Sequence, residues 1–102
     1  MIDWARVSEL KEEFGEDGFD EVLAIFTEET GPIIDRLATG RSHDPAADLH
    51  FVKGSADNMG MSQLTEMCRR GEEEIAAGTP QVLADIRSAY DGALVEISRP
   101  AA

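Results

Sequence analysis

Apolar residues recur at three- and four-residue spacings along most of the chain, and the two-residue alternation of a half-buried strand is almost absent. The pattern predicts five helical stretches. The first follows Asp3, a suitable N-cap, and carries Trp4, Val7, Leu10 and Phe14 on one side. Residues 15–18, bounded by Gly15 and Gly18, are the expected break. The second stretch is the longest, with Phe19, Val22, Leu23, Phe26, Thr30, Ile33, Ile34 and Leu37 on one stripe at about 100° per residue. Gly31-Pro32 interrupts it, and Pro32 has no N–H to give the Glu28 carbonyl. The stripe keeps its phase across the interruption, which predicts one kinked helix rather than two.

Residues 39–44 read as a polar loop, after which Pro45 suits a first-turn position behind an Asp44 or Ser42 cap. Leu49, Val52, Ala56 and Met59 mark the third helix, which ends near Gly60. Ser62 is placed to cap the fourth, where Leu64, Met67, Cys68 and Ile75 face inward and Gly78 closes the element. Thr79-Pro80 forms an N-cap and N1 pair for the fifth, whose Leu83, Ile86, Tyr90, Leu94 and Ile97 share a face before Pro100 stops it. Short connections between amphipathic helices favour antiparallel neighbours. The expected fold is therefore all-α, an up-down four-helix bundle with a short additional N-terminal helix. It forms a single domain over residues 1–102, with no repeat or low-complexity tract.

Charge changes this picture more than composition does. Twenty-one acidic residues against nine basic ones leave a net charge of −12. Such a surface repels nucleic-acid phosphates and anionic lipid, and it favours a soluble monomer. Cys68 is the only cysteine, so there is no internal disulfide and no zinc-ligand spacing, as in a reducing compartment. No apolar run approaches the ~20 residues of a membrane span, and Met1 leads into Asp3 and Trp4 rather than a signal peptide. A cytoplasmic location is expected.

Candidate chemistry gathers between His50 and Gly60. On a helical projection His50 lies roughly 140° from the centre of the Leu49/Val52/Ala56/Met59 stripe, and Gly54 lies roughly opposite it. Lys53 and Asp57 share the outer flank with His50. An exposed neutral imidazole is a good nucleophile near pH 7. A mid-helix glycine facing water costs about 1 kcal/mol relative to alanine, and at Gly54 open space beside the ring would account for that cost. Lys53 is placed to offset the charge of a phosphoryl group.

In these residues the chain resembles the histidine phosphotransfer family. That pattern is a histidine, two residues, a lysine, a glycine and a small pair, with a glycine ten positions after the histidine. It is matched at His50, Lys53, Gly54, Ser55, Ala56 and Gly60, and the match continues at Leu64 and Cys68. The resemblance implies a bundle whose exposed histidine exchanges a phosphoryl group with the aspartate of a response-regulator receiver domain. A sensor or hybrid histidine kinase stands upstream. The chain itself is then no autonomous kinase and needs no cofactor, magnesium being supplied by the receiver. Two positions depart from the family pattern. Gly71 stands inside an apolar stripe where a large residue is usual, so the bundle there should be tighter or slightly underpacked. Asp57 stands where a small residue is usual and is expected to tune partner choice.

Plainer readings apply elsewhere. His43 reads as a loop residue and Cys68 as a small core residue. The run Glu72-Glu73-Glu74 reads as a solvated helix face, since three consecutive residues cannot converge on one ion. Phe51 is expected either to meet the leading helix or to join an apolar docking patch, with Asp57 beside the same docking region. Two other functions fit parts of the pattern. One is a degenerate receiver-binding module without phosphotransfer. The other is an acidic nucleic-acid mimic, which accounts for the charge but gives no reason for the residues around His50.

Overall fold

The computed structural model describes residues 1–78 and 81–99. Its helices are α1 (Trp4–Ala38), α2 (Pro45–Asn58), α3 (Ser62–Ala76) and α4 (Ile86–Ile97), and a 3₁₀ turn (Val82–Ala84) leads into α4. No strand occurs among the described residues. The Thr79-Pro80 cap and the Pro100 stop lie outside them.

α1 is helical on both sides of one break at Gly15, where φ is 77° and ψ 171°. The expected break over 15–18 is thus a single residue long. A left-handed φ is open to glycine without steric cost, and one such residue is enough to redirect the chain. The arm before it, residues 4–14, folds back on the bundle through Val7 and Leu10. Phe14 does not join them: it is 48% exposed and lies over Gly18, whose missing side chain leaves it room. The arm is tied to the α2–α3 turn by Asp3 N–H donating to the Gly60 carbonyl (2.7 Å) and Arg6 Nε donating to the Asn58 carbonyl (3.0 Å). Gly60 has φ 77°, and a Cβ there would stand 2.9 Å from the Asp3 carbonyl oxygen. Turn conformation and close approach both require glycine at this position.

The rest of α1, residues 16–38, runs through Pro32 as one helix. Next to the proline, Thr30 is fully buried. Its hydroxyl donates to the Phe26 carbonyl (2.6 Å), so in the 2.9 Å contact with Tyr90 the tyrosine hydroxyl is the donor. The Tyr90 ring stacks on Phe26 at 6.0 Å between centroids, which locks α4 against α1 with the buried Thr30–Tyr90 polar pair satisfied.

Asp44, rather than Ser42, caps α2 by accepting from Ala47 N–H (3.1 Å), with Pro45 in the first turn. Ser42 instead donates to Asp48 (2.6 Å), which also accepts two bonds of 2.7 Å from Arg36. This bidentate pair fastens the last turn of α1 to the first turn of α2. The N-cap of α3 is Met61, with no side-chain cap bond, and Ser62 is the first helical residue. Burial decides the one-residue shift: Met61 is fully enclosed and Ser62 exposed. Gly78, at φ 79°, follows the end of α3 as expected.

The fifth predicted stretch is a 3₁₀ turn followed by α4, not one continuous helix. Glu74 Oε1 accepts from the N–H groups of Gln81 and Val82, both at 2.7 Å, and thereby caps the turn. Val82 is drawn into the niche left by Gly71, its Cγ1 2.9 Å from where a Cβ would be. Ile86, Tyr90, Ala93 and Ile97 then face the core, while Leu83 and Leu94 are half-buried. No helix among the described residues is long and apolar enough to cross a membrane.

Candidate functional site

α2 carries the site, and its orientation is set by Leu49, Val52 and Ala56, all fully buried. With that face fixed, helical geometry places His50 outward, and its side chain is 75% exposed. One turn on, a Cβ built on Gly54 meets nothing within 4 Å. The space the sequence predicted beside the imidazole is there. Asp57 is exposed two turns from His50. Phe51 is 46% exposed and stays out of the hydrophobic core. Its position, one residue from His50, points it to the other flank of α2, away from α3. His43 is an exposed loop residue before α2.

Lys53 is less free than the projection implies. Its side chain is only 27% exposed, and Nζ donates to Glu72 Oε2 at 3.1 Å. The acidic run of α3 is correspondingly not one solvated face. Glu73 pairs with Arg69, which Glu66 also holds; Glu74 caps the 3₁₀ turn; and Glu72 turns toward α2. Glu72 Oε1 lies 3.4 Å from His50 Nδ1, yet it is buried and makes no hydrogen bond. Sequence reasoning missed this residue. The available signal was its spacing: Glu72 follows Cys68 by four positions, on the flank of the Leu64/Cys68 stripe rather than opposite it.

Gly71 allows this meeting. A Cβ there would lie 2.9 Å from Leu49 Cδ1 as well as from Val82. The niche is filled by its neighbours rather than left empty, and α2 and α3 approach closely at the level where Leu49 adjoins His50 and Gly71 adjoins Glu72. Beneath them Cys68 is fully enclosed. Burial pushes its thiol up to about 12, and the negative charge of Glu72 adds to the effect while Lys53 opposes it. It is a core residue and no nucleophile at neutral pH.

The site thus offers an accessible imidazole with open space on one side and a carboxylate-bound ammonium on the other. Such a group can take and release an electrophile that a partner brings. A family model described as "Hpt domain" matches residues 21–96, which spans the site and the bundle but not the arm. No curated protein and no solved structure matches the chain significantly.

Proposed function

The chain belongs to the Hpt domain family, whose members carry phosphoryl groups on histidine in phosphorelay signalling, and from that premise we propose that His50 is the acceptor and a receiver aspartate its exchange partner. The observation that carries this reading is the exposed His50 beside the open volume at Gly54. In the transfer, an imidazole nitrogen lone pair attacks the phosphorus of an aspartyl phosphate. The N–P bond forms as the P–O bond to the aspartyl oxygen breaks, and the carboxylate leaves with that electron pair. The reverse step returns the group to an aspartate.

Lys53 supplies positive charge near the incoming phosphoryl oxygens, and Gly54 leaves room for that group and for the receiver surface. Phe51 and Asp57 border the docking area on opposite flanks of α2. Among the described residues no three His, Cys, Asp or Glu side chains gather to hold a metal ion. In this reading magnesium comes with the receiver, and a sensor or hybrid histidine kinase feeds the relay. The acidic-mimic reading is weaker, because many carboxylates it would need are bound within the chain, Asp48 by Arg36, Glu66 and Glu73 by Arg69, and Asp35 and Asp91 by Arg87.

The test is His50→Gln presented with a phosphorylated receiver domain. Acid-labile, base-stable label appears on the native chain and is absent from the variant. Label retained by the variant assigns the acceptor to His43 or another group and overturns the proposal. The fold should hold, since an exposed substitution changes stability by about 0.5 kcal/mol or less.

A further inference from the structure

The carboxylates of this chain fall into two populations. Outside residues 9–29 there are twelve, and ten of them are held by a cation or cap a backbone N–H, Asp57 and Asp85 being the exceptions among the described residues. Within residues 9–29 the proportion reverses. Glu16 pairs with Lys11 at 3.7 Å, and the other eight, from Glu9 to Glu29, are exposed with no ion pair or side-chain hydrogen bond among the described residues. The same segment holds two large apolar side chains in water. Ile25 is 53% exposed, and Phe14 covers Gly18. Gly18 and Ile25 are seven residues apart, so the two apolar groups lie on one flank of α1 with about 10.5 Å between them. Glu21, Glu28 and Glu29 surround Ile25 at three- and four-residue spacings.

We propose that this flank of α1 is a docking surface for a basic amphipathic helix of another protein. Uncompensated carboxylates repel anionic lipid and a second copy of this acidic chain, and they attract Lys and Arg. The two apolar groups specify the rest, since about 10.5 Å is the separation of side chains at i and i+7 on a helix laid alongside. The surface is also distinct from the face that carries His50. The Arg36–Asp48 pair sets the level of α1 against α2. From that pair Ile25 lies roughly 16 Å and Gly18 roughly 27 Å along α1, whereas His50 lies only about 3 Å along α2. A partner held here leaves the imidazole open, and it raises the effective concentration of any receiver or kinase domain joined to the same helix.

The experiment titrates the ¹⁵N-labelled full chain with a synthetic helical peptide of lysines and alanines that carries two leucines seven residues apart. Amide shifts are expected at Phe14, Gly18, Glu21, Ile25 and Glu29, with none at His50 or Gly54. Added salt should weaken binding. A peptide of equal charge with both leucines replaced by alanine should bind at least about fivefold more weakly, because the apolar contacts are then lost. Ile25→Ser should have the same effect on the leucine peptide, and as an exposed substitution it leaves the fold intact. Equal affinity of the two peptides, or native affinity in Ile25→Ser, would mean that the chain attracts cations without a specific surface, and overturns the proposal. Shifts centred on α2 and α3 overturn it as well, by placing the helix on the His50 face.

Discussion

Gly71 and Leu49 are so close that a Cβ on the glycine would stand 2.9 Å from the leucine Cδ1. The same position would press on Val82, so the niche is shared by α2, α3 and the 3₁₀ turn. Gly71→Leu must displace all three and should destabilise the domain by about 2 kcal/mol or more. Gly71→Ala should be nearly neutral, because better helix propensity offsets the small shift its methyl forces on two side-chain ends. Denaturant unfolding of both variants checks this, and equal stability of Gly71→Leu and the native chain would refute it.

Gly54 presents the opposite case, a glycine with nothing around it. Gly54→Gln should leave stability unchanged or raise it by several tenths of a kcal/mol, since a mid-helix glycine costs about 1 kcal/mol relative to alanine. The long side chain then occupies the volume beside His50, where an error of about an ångström is costly to transfer. Phosphotransfer from a receiver should fall at least tenfold in a folded variant. Undiminished transfer would show that the open volume serves no docking purpose.

Lys53→Ala should cost more than an ordinary surface lysine. Its removal strips Glu72 Oε2 of its partner while the carboxylate remains half-buried. A loss of about 1 kcal/mol is expected, against tenths for an exposed pair. Double-mutant analysis with Glu72→Gln should recover much of it, and a zero coupling energy would mean the pair contributes nothing.

Acid should loosen the domain at two identifiable places. Hydrogen bonds from Arg36 hold the Asp48 carboxyl below its ordinary 3.8, and the Val82 and Gln81 N–H groups hold Glu74 below 4.5. A depressed carboxyl stabilises the fold above its unfolded value and loses that contribution as pH falls through its folded value. The melting temperature should therefore drop below about pH 4.5, and Asp48→Asn and Glu74→Gln should each show a smaller drop from a lower starting point. Parallel acid profiles for native and variant chains would remove these groups from the account.

The Cys68 thiol, pushed up to about 12, should resist thiol reagents at pH 8 in the folded chain and react once denaturant opens it. Raised in the fold, it favours the native state below its ordinary value of 9.0 and loses that contribution as pH rises toward 12. Rapid labelling of native protein at pH 8 would show that the α2–α3 packing opens readily.

Helical phase was legible from residue order alone, because burial in a bundle follows a 3.6-residue period that neighbours in sequence define. His50 outward, Leu49 and Val52 inward and the open side of Gly54 all follow from that period, as does the run of α1 through Pro32. Relations between helices follow from no such rule. Glu72 stood in an acidic run that looked solvated, and only the approach of α2 to α3 over Gly71 separated it from Glu73 and Glu74. The same packing drew Val82 inward and split the last predicted helix, and the single turn at Gly15 left Phe14 outside. A helix's own sequence sets which face it buries; which charged side chain on that face's edge finds a partner depends on the distance and level of another helix, and only the folded chain decides those.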